Sequence, residues 1–515
     1  MVEPFKNCPF TDFSDPDNRA AMEADIAKVK SELGREYPII IGGEEITDVD
    51  KFKSINPADP DEVIGVFAKG TKELAVKALE TANEKFEEWR WTPPEHRARY
   101  LLKAAQIMKQ RRHEISVWMM LETSKSWIEA DADVAEAIDF LDFYGREMIR
   151  WGGTQEIVPF PGEDNELLYI PLGAGAVIPP WNFPCAILVG MTSAAIVTGN
   201  TVVLKPASTA PAVGYQFYKI MKEAGLPDGV LNFLPGPGGA IGDTIIQHPK
   251  TRFIAFAGSM EVGLRINRLA AELSEGQIWI KRTILEMGGK DFILVDSGAD
   301  LEFAADQITI AAYGFQGQKC SACSRTIIHK DVYDELIPML VERAEKLTLG
   351  RPETFGINMG AVIDQAAFNK IMEYIEIGKT EGELLTGGER WGDKGYFVQP
   401  TIFGGIKPND RLAQEEIFGP VNALIKVDSF EEGIEVANGT IYGLTGAFIS
   451  NNREHIEIAR QRLHCGNLYI NRKCTGALVG VQPFGGFNMS GTDSKAGGSD
   501  YLGLFLQAKS ITERW

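Results

Sequence analysis

Cys320 stands in GFQGQKCSACS, where glycines at 314 and 317 free the backbone around a thiol. Presented at a loop-to-helix start, such a thiol would meet backbone N–H groups able to lower its pKa and to hold an oxyanion. The chemistry would be nucleophilic addition to an electrophilic carbon. Two plainer readings compete: an inert buried cysteine, and a Cys320-x-x-Cys323 pair serving redox or zinc. No second such pair exists and His329 is alone nearby, so no metal site is expected. Glu286 closes the apolar run of TILEMGGKD and precedes two glycines, a place for a mobile general base or simply for a strand end. Asn182 in IPPWNFP sits stiffly among prolines and aromatics, as an oxyanion donor or as a turn residue.

A second group of residues suits a nucleotide. FAGSMEVG places Gly258, Ser259 and Gly263 after a strand and at the opening of a helix, where amides and a hydroxyl can approach a pyrophosphate. LPGPGGAIG offers Gly236, Gly238, Gly239 and Gly242, and neither string is G-x-G-x-x-G. Lys205 in VLKPAS follows another strand, within reach of a ribose or phosphate, or of solvent.

These residues need a scaffold, and the pattern supplies one. Strand-like runs at 176–178, 201–204, 230–234, 252–256 and 283–286 alternate with helical stretches. One of these, PAVGYQFYKIMKEAG, puts Val213, Phe217, Ile220, Met221 and Ala224 on one face and stops at Gly225. Strands separated by single helices predict right-handed crossovers and a parallel sheet, with ligands beyond its carboxyl ends. Upstream, Gly42-Gly43 predicts a hairpin, and 71–90, 94–124 and 131–150 predict helices. A second α/β unit runs from Gly288 to about 485. The polar stretch 151–172 and the last thirty residues read as extended segments without a core of their own, which predicts a shared sheet packed on another subunit or, more plainly, two surface hairpins.

The balance of charge narrows the partners. Lys plus Arg is 52 against 71 for Asp plus Glu, a net −19, which excludes a general nucleic-acid binder. The start MVEPFKNCPF lacks the pattern of a signal peptide. The longest apolar stretch, 185–197, falls short of the ~18–20 residues of a membrane span. Six cysteines without scaffold-like spacing fit reduced thiols, so the expected address is the cytoplasm.

In order, PWNFP, KP, FAGS, LEMGGKD, GQKCS, EEIFGP and PFGGF run through the chain. The series resembles the aldehyde dehydrogenase superfamily over essentially the whole length. It is more similar still to the 1-pyrroline-5-carboxylate dehydrogenases through GFQGQKCSA, NRKCTGALVGVQPFGGFNMSGT, ADVAEAIDF and the long N-terminal extension. The resemblance implies an α/β fold with a Rossmann-type cofactor domain (1–150 and 173–287), an α/β catalytic domain (288–485) and a small β oligomerisation extension (151–172 and 486–515). It implies that Cys320 attacks the aldehyde and that Asn182 with the Cys320 N–H holds the oxyanion. Glu286 would activate water against the thioester. Lys205 would contact the adenosine ribose, Ser259 the pyrophosphate beside Gly258 and Gly263, and Glu416 the nicotinamide ribose. Phe418 would back the ring, with Trp181 along the adjoining wall. Many members carry Glu where this chain has Ser208, so NAD is implied with NADP left open. Met191 replaces a lysine of many members, so no proton-relay role transfers there.

For the substrate, the resemblance implies oxidation of L-glutamate γ-semialdehyde to L-glutamate. Ser321, Gly476 and Ala477 would form a neutral nest for the α-carboxylate, and Phe183 and Phe484 would sandwich the chain. Glu136 would face the α-ammonium, or else lie on an ordinary exposed helix face among the acids of ADVAEAIDF. Another aldehyde, such as succinate semialdehyde, is the alternative. A separate proline dehydrogenase, met transiently, would supply the substrate, and a homodimer or larger homo-oligomer is expected, with no membrane or nucleic-acid partner.

Overall fold

The computed structural model describes residues 4–515, so the first three residues of the expected 1–150 segment lie outside the described residues. Two seven-stranded sheets form its frame. In the first, the order is Arg282–Glu286, Phe253–Ala257, Ala174–Ile178, Thr201–Leu204, Leu231–Phe233, then the antiparallel hairpin Ile39–Ile41 and Glu44–Ile46. The five strands before the hairpin are mutually parallel. Chain order runs outward from Ala174–Ile178 in one direction and then restarts on its other side with Phe253–Ala257. That reversal is a topological switch point, and it opens a crevice at the carboxyl ends. PWNFP, Lys205, Gly258–Ser259 and Glu286 all fall at those ends, as the sequence predicts.

The second sheet has the order Glu383–Thr386, Thr401–Gly404, Val421–Val427, Arg325–His329, Phe292–Val295, Thr445–Ile449, Asn467–Ile470. All its pairings are parallel except that of Glu383–Thr386. Its residues with chemistry lie at the amino ends: Cys320 before Arg325–His329, Glu416 and Phe418 before Val421–Val427, and GGKD before Phe292–Val295. Carboxyl ends of one sheet therefore face amino ends of the other, and the site is the seam.

Burial explains why the strands are so apolar. Phe253–Ala257 and Thr201–Leu204 are buried at every position, as parallel strands covered on both faces must be. Ala186–Val197 is apolar all round because it sits wholly inside, not because it spans a membrane; no helix among the described residues is long and apolar enough to cross one. The 25-residue helix Trp127–Trp151 carries acids on its inner face, and most are spoken for. Asp131 binds the Thr11 N–H at 2.8 Å and Arg112. Asp133 pairs with fully buried Lys125 at 2.7 Å and takes the Ala186 N–H. Asp139 accepts from the Cys8 N–H and from Asn7, whose amide also reaches the Val479 carbonyl at 2.9 Å. The N-terminal segment is thus strapped along this helix.

Three expectations need correction. The helix expected over 94–124 is two, Pro94–Gln110 and Arg112–Thr123, because the polar run KQRRH interrupts the apolar face and Arg111 leaves helical geometry. Of the last thirty residues, only Leu506–Arg514 is a long strand, pairing antiparallel with Glu163–Pro171. Residues 487–498 instead turn back onto the end of Arg282–Glu286, where the Met287 N–H donates to Ser490 and the Thr492 N–H to Leu285. The hairpin Lys51–Asn56 with Asp59–Ala68 was not foreseen, since NPADPDE hides its register.

Gly175 lies mid-strand against Phe253, and a Cβ there would sit 2.3 Å from that buried ring. Gly175→Ala should cost about 1–3 kcal/mol by overpacking, read as a lower urea midpoint at unchanged slope.

Candidate active site

The nucleophile loop is built by unusual backbone. After the helix Leu301–Tyr313, Phe315, Gln316 and Gly317 all take positive φ, at 52°, 56° and 66°. At Gly317 a Cβ would lie 2.3 Å from the Gly419 carbonyl, so two loops meet there through bare backbone. Side chains hold the turn. Gln316 donates to the Ser124 and Ala361 carbonyls at 3.0 and 2.9 Å, and Gln318 accepts the Ile363 N–H at 2.9 Å. Asn182, buried, donates to the Gln318 carbonyl at 3.1 Å, which places its amide against the Cys320 loop; its other N–H meets no acceptor among the described residues. The Cys320 N–H makes no hydrogen bond to another residue among the described residues.

The loop leads into a strand, not a helix, so the expected helix N-terminus beneath Cys320 is absent. Its electrostatics reverse accordingly. Burial pushes the Cys320 thiol well up, and the carboxyls of Asp291, Glu286 and Glu416 push it further. Cys323 is buried, and its sulfur contacts the Arg325 carbonyl and Thr326.

Glu286 is half-buried at the end of its strand. Its Oε1 accepts from the Ser494 hydroxyl, and its Oε2 is buried without a partner among the described residues. Burial raises its pKa to about 8. The two glycines after it are there for close approach. A Cβ on Gly288 would lie 2.4 Å from the Glu416 carboxyl, and one on Gly289 would lie 2.4 Å from the Cys320 carbonyl. The Gly289 N–H donates to Glu416 at 2.9 Å, and burial raises the pKa of that carboxyl as well. Asp291, next along, accepts the Thr445 N–H at 2.6 Å and ties the seam to the second sheet.

The residues expected to hold a nucleotide line the crevice. Lys205 is buried with one long contact to the Pro206 carbonyl, 3.3 Å, and burial lowers its pKa to about 8. Ser259 is exposed and caps the helix Met260–Ala271. Gly258 donates to the Glu286 carbonyl at 3.0 Å. Gly263 turns out to serve packing, because a Cβ there would strike Met287 at 2.4 Å. Ser208 is half-buried without a hydrogen bond among the described residues. Trp181 meets Phe418 edge-on at 5.5 Å, forming one wall.

On the other side of Cys320, Ser321 is buried and its carbonyl accepts from Cys474 at 3.3 Å, which ties it to the turn bearing Gly476 and Ala477. The nest is not neutral as expected: Arg472 and Lys473 stand beside it. Phe183 lies over the Lys125 ammonium, 3.8 Å from ring centre to nitrogen, so a buried ion pair holds that wall. Phe484 is pinned by paired backbone bonds with Ala496. Glu136 is not on an exposed face. It is half-buried, and alone among Asp131, Asp133, Glu136 and Asp139 it has no partner among the described residues. Burial and neighbouring Asp133 raise its pKa to about 8. Sequence reasoning missed Gln316 and Gln318, visible in the motif, and Ser494, which lies 208 residues from Glu286 and gives no local signal.

A switch-point crevice joined to a thiol loop, an amide and a partly buried carboxyl fits a thiol-dependent, dinucleotide-linked oxidoreductase. The profile of the aldehyde dehydrogenase family matches residues 45–511, and the chain belongs to that family. A 1-pyrroline-5-carboxylate dehydrogenase of Geobacillus thermodenitrificans is 58% identical over 513 residues, covering 100% of both chains. The solved 1-pyrroline-5-carboxylate dehydrogenase from Thermus with bound NAD superposes with a TM-score of 0.99 at 50% identity, again over 100% of both chains. Proline utilization A from Bdellovibrio bacteriovorus matches 99% of this chain and 53% of its own, at 41% identity and a TM-score of 0.98.

The sign of the Glu286 shift gives a stability test. Its ordinary value is 4.5 and its folded value about 8, so the folded state holds the proton more tightly. Stability from this group is complete below about 4.5 and is lost as pH rises to about 8. Glu286→Gln should therefore raise the Tm increasingly from pH 5 to pH 8.5 in parallel melts. A gain that shrinks with rising pH would contradict the burial argument.

Proposed function

We propose that this chain oxidises L-glutamate γ-semialdehyde, the open form of 1-pyrroline-5-carboxylate, to L-glutamate with NAD. The observation that carries this reading is the polarity of the pocket beside Cys320. The Ser321 hydroxyl and the unbonded N–H groups of Gly476 and Ala477 suit a carboxylate, while partnerless Glu136 suits an ammonium. An amino-acid aldehyde presents both. The full-length likeness to 1-pyrroline-5-carboxylate dehydrogenases supports it.

The dinucleotide fits the residues present. Lys205 is buried with a nearly unused ammonium, and the Ser259 end of its helix is open. These residues would hold NAD with Gly258, while Glu416, Trp181 and Phe418 would hold its nicotinamide end. When bound, NAD supplies a hydride acceptor. The chain's own residues do the rest. The Cys320 thiol releases its proton to solvent water and its sulfur bonds the aldehyde carbon, whose carbonyl electron pair moves to oxygen; Asn182 with the Cys320 N–H receives that oxyanion. Oxidation leaves the acyl group on Cys320 as a thioester. Glu286 takes a proton from water, which attacks that thioester and frees the carboxylate and the thiol. Ser208 bears no charge to reject a 2′-phosphate, so NADP is included in the test.

Further assignments follow the same reading. Residues 1–150 and 173–287 form the dinucleotide-binding part and 288–485 the thiol-bearing part. The strands Glu163–Pro171 and Leu506–Arg514 form an arm for self-association, supported by exposed Val158, Phe160 and Trp515. We place the enzyme in the cytoplasm, supported by six unpaired cysteines. A proline-oxidising enzyme would supply the substrate.

A panel of aldehydes with NAD and NADP, followed as nucleotide reduction, tests the substrate: glutamate γ-semialdehyde should exceed succinate semialdehyde and propanal in kcat/KM. Equal values would remove the assignment. Cys320→Ala should abolish turnover while NAD still binds by titration calorimetry. Glu286→Gln should give one burst of reduced nucleotide and then stall, and linear full-rate turnover would refute its role. Asn182→Ala should lower kcat by about 10²–10³.

A further inference from the structure

We propose that Lys473 is a substrate-binding residue whose ammonium supplies the formal positive charge for the α-carboxylate of the aldehyde; this rests on the function proposed above. The turn from Arg472 to Ala477 is oriented by its own side chains. Arg472 donates to the Thr475 and Gly476 carbonyls at 2.8 and 2.9 Å and lies over the Tyr469 ring at 4.3 Å. In a trans peptide the N–H points opposite the carbonyl. The Gly476 and Ala477 N–H groups therefore point away from Arg472, and neither finds an acceptor among the described residues. Beside them lies Lys473. A Cβ built on Gly476 would sit 3.5 Å from its Cε and 3.9 Å from its Nζ.

The other cations around this pocket are committed. Arg472 is used by the turn, Lys319 by Glu129 at 2.7 Å, and Lys125 by Asp133 at 2.7 Å. Lys473 has no acidic group and no acceptor within bonding distance of its ammonium among the described residues, although it is only half-exposed. Burial and the nearby cations Lys319 and Arg472 push its pKa down, while Glu129 and Cys474 push it up. A half-buried cation without a counter-charge is costly, and a bound carboxylate would relieve that cost. Its position is fixed at both ends. The Lys473 N–H donates to Gln307 at 3.0 Å, and the next residue, Cys474, bonds the Ser321 carbonyl. The turn that carries the two amides and the ammonium is thus tied directly to Ser321, the residue after Cys320.

The test compares wild type, Lys473→Met and Lys473→Arg on three aldehydes: glutamate γ-semialdehyde, succinate semialdehyde and propanal. Lys473→Met should lower kcat/KM about ten- to a hundredfold for the two carboxylate-bearing aldehydes, mainly through KM, and leave propanal unchanged. The inhibition constant of L-glutamate should rise in step, and Lys473→Arg should recover part of the loss. A parallel loss on propanal, or no loss on any aldehyde, would overturn the role. The succinate semialdehyde to propanal ratio decides this even if wild type shows no preference for glutamate γ-semialdehyde, an outcome that would overturn the proposed function alone.

Discussion

The site depends on a turn that the backbone would not choose by itself. Phe315 and Gln316, two residues with side chains, sit in the left-handed region immediately before Gly317. Each such residue costs on the order of 1 kcal/mol, and neighbours must over-determine it. Gln316 does so by bridging a helix end at Ser124 and an extended segment at Ala361, and Gln318 does so from Ile363. Asn182 is bonded to the same turn, so the amide that would meet the oxyanion is held against the loop that carries the sulfur. The turn also lets Gly317 touch Gly419, so the loop bearing Phe418 is registered against it.

Burial then decides charge. Four acids, Glu286, Asp291, Glu416 and Glu136, lie around the crevice with their pKa values raised, and the Cys320 thiol is raised with them. Burial thus makes each of these groups a weaker acid, and a carboxyl raised in this way is a stronger proton acceptor once it is ionised. The cationic side is arranged with equal economy: Lys125 and Lys319 are neutralised by Asp133 and Glu129, while Lys473 is left open.

Motifs at strand ends were readable because chemistry and punctuation coincide there. Glu286, Lys205 and Gly258 each follow an apolar run, and glycine or proline stands at or just after each of them, so their place at carboxyl ends followed from pattern alone. The two glycines of GGKD were visible, but what they make room for, the Glu416 carboxyl and the Cys320 carbonyl, was not. Ser494 could not be seen at all, since nothing in its neighbourhood marks it as the partner of a residue 208 positions away. Glu136 was ambiguous among similar acids until each of its neighbours proved to have a partner.

The sequence by itself determined the alternating α/β framework, the crevice at the strand ends and the candidate nucleophile, base and amide. These rest on local periodicity and on residue types, which a chain carries wherever it folds. Only the tertiary structure decided that Cys320 precedes a strand and has its pKa raised by burial, that Glu136 has no partner among the described residues, and that Lys473 stands beside the turn bearing Gly476. Protonation and pairing are set by desolvation and by charges brought together across hundreds of residues, and neither is written in spacing along the chain.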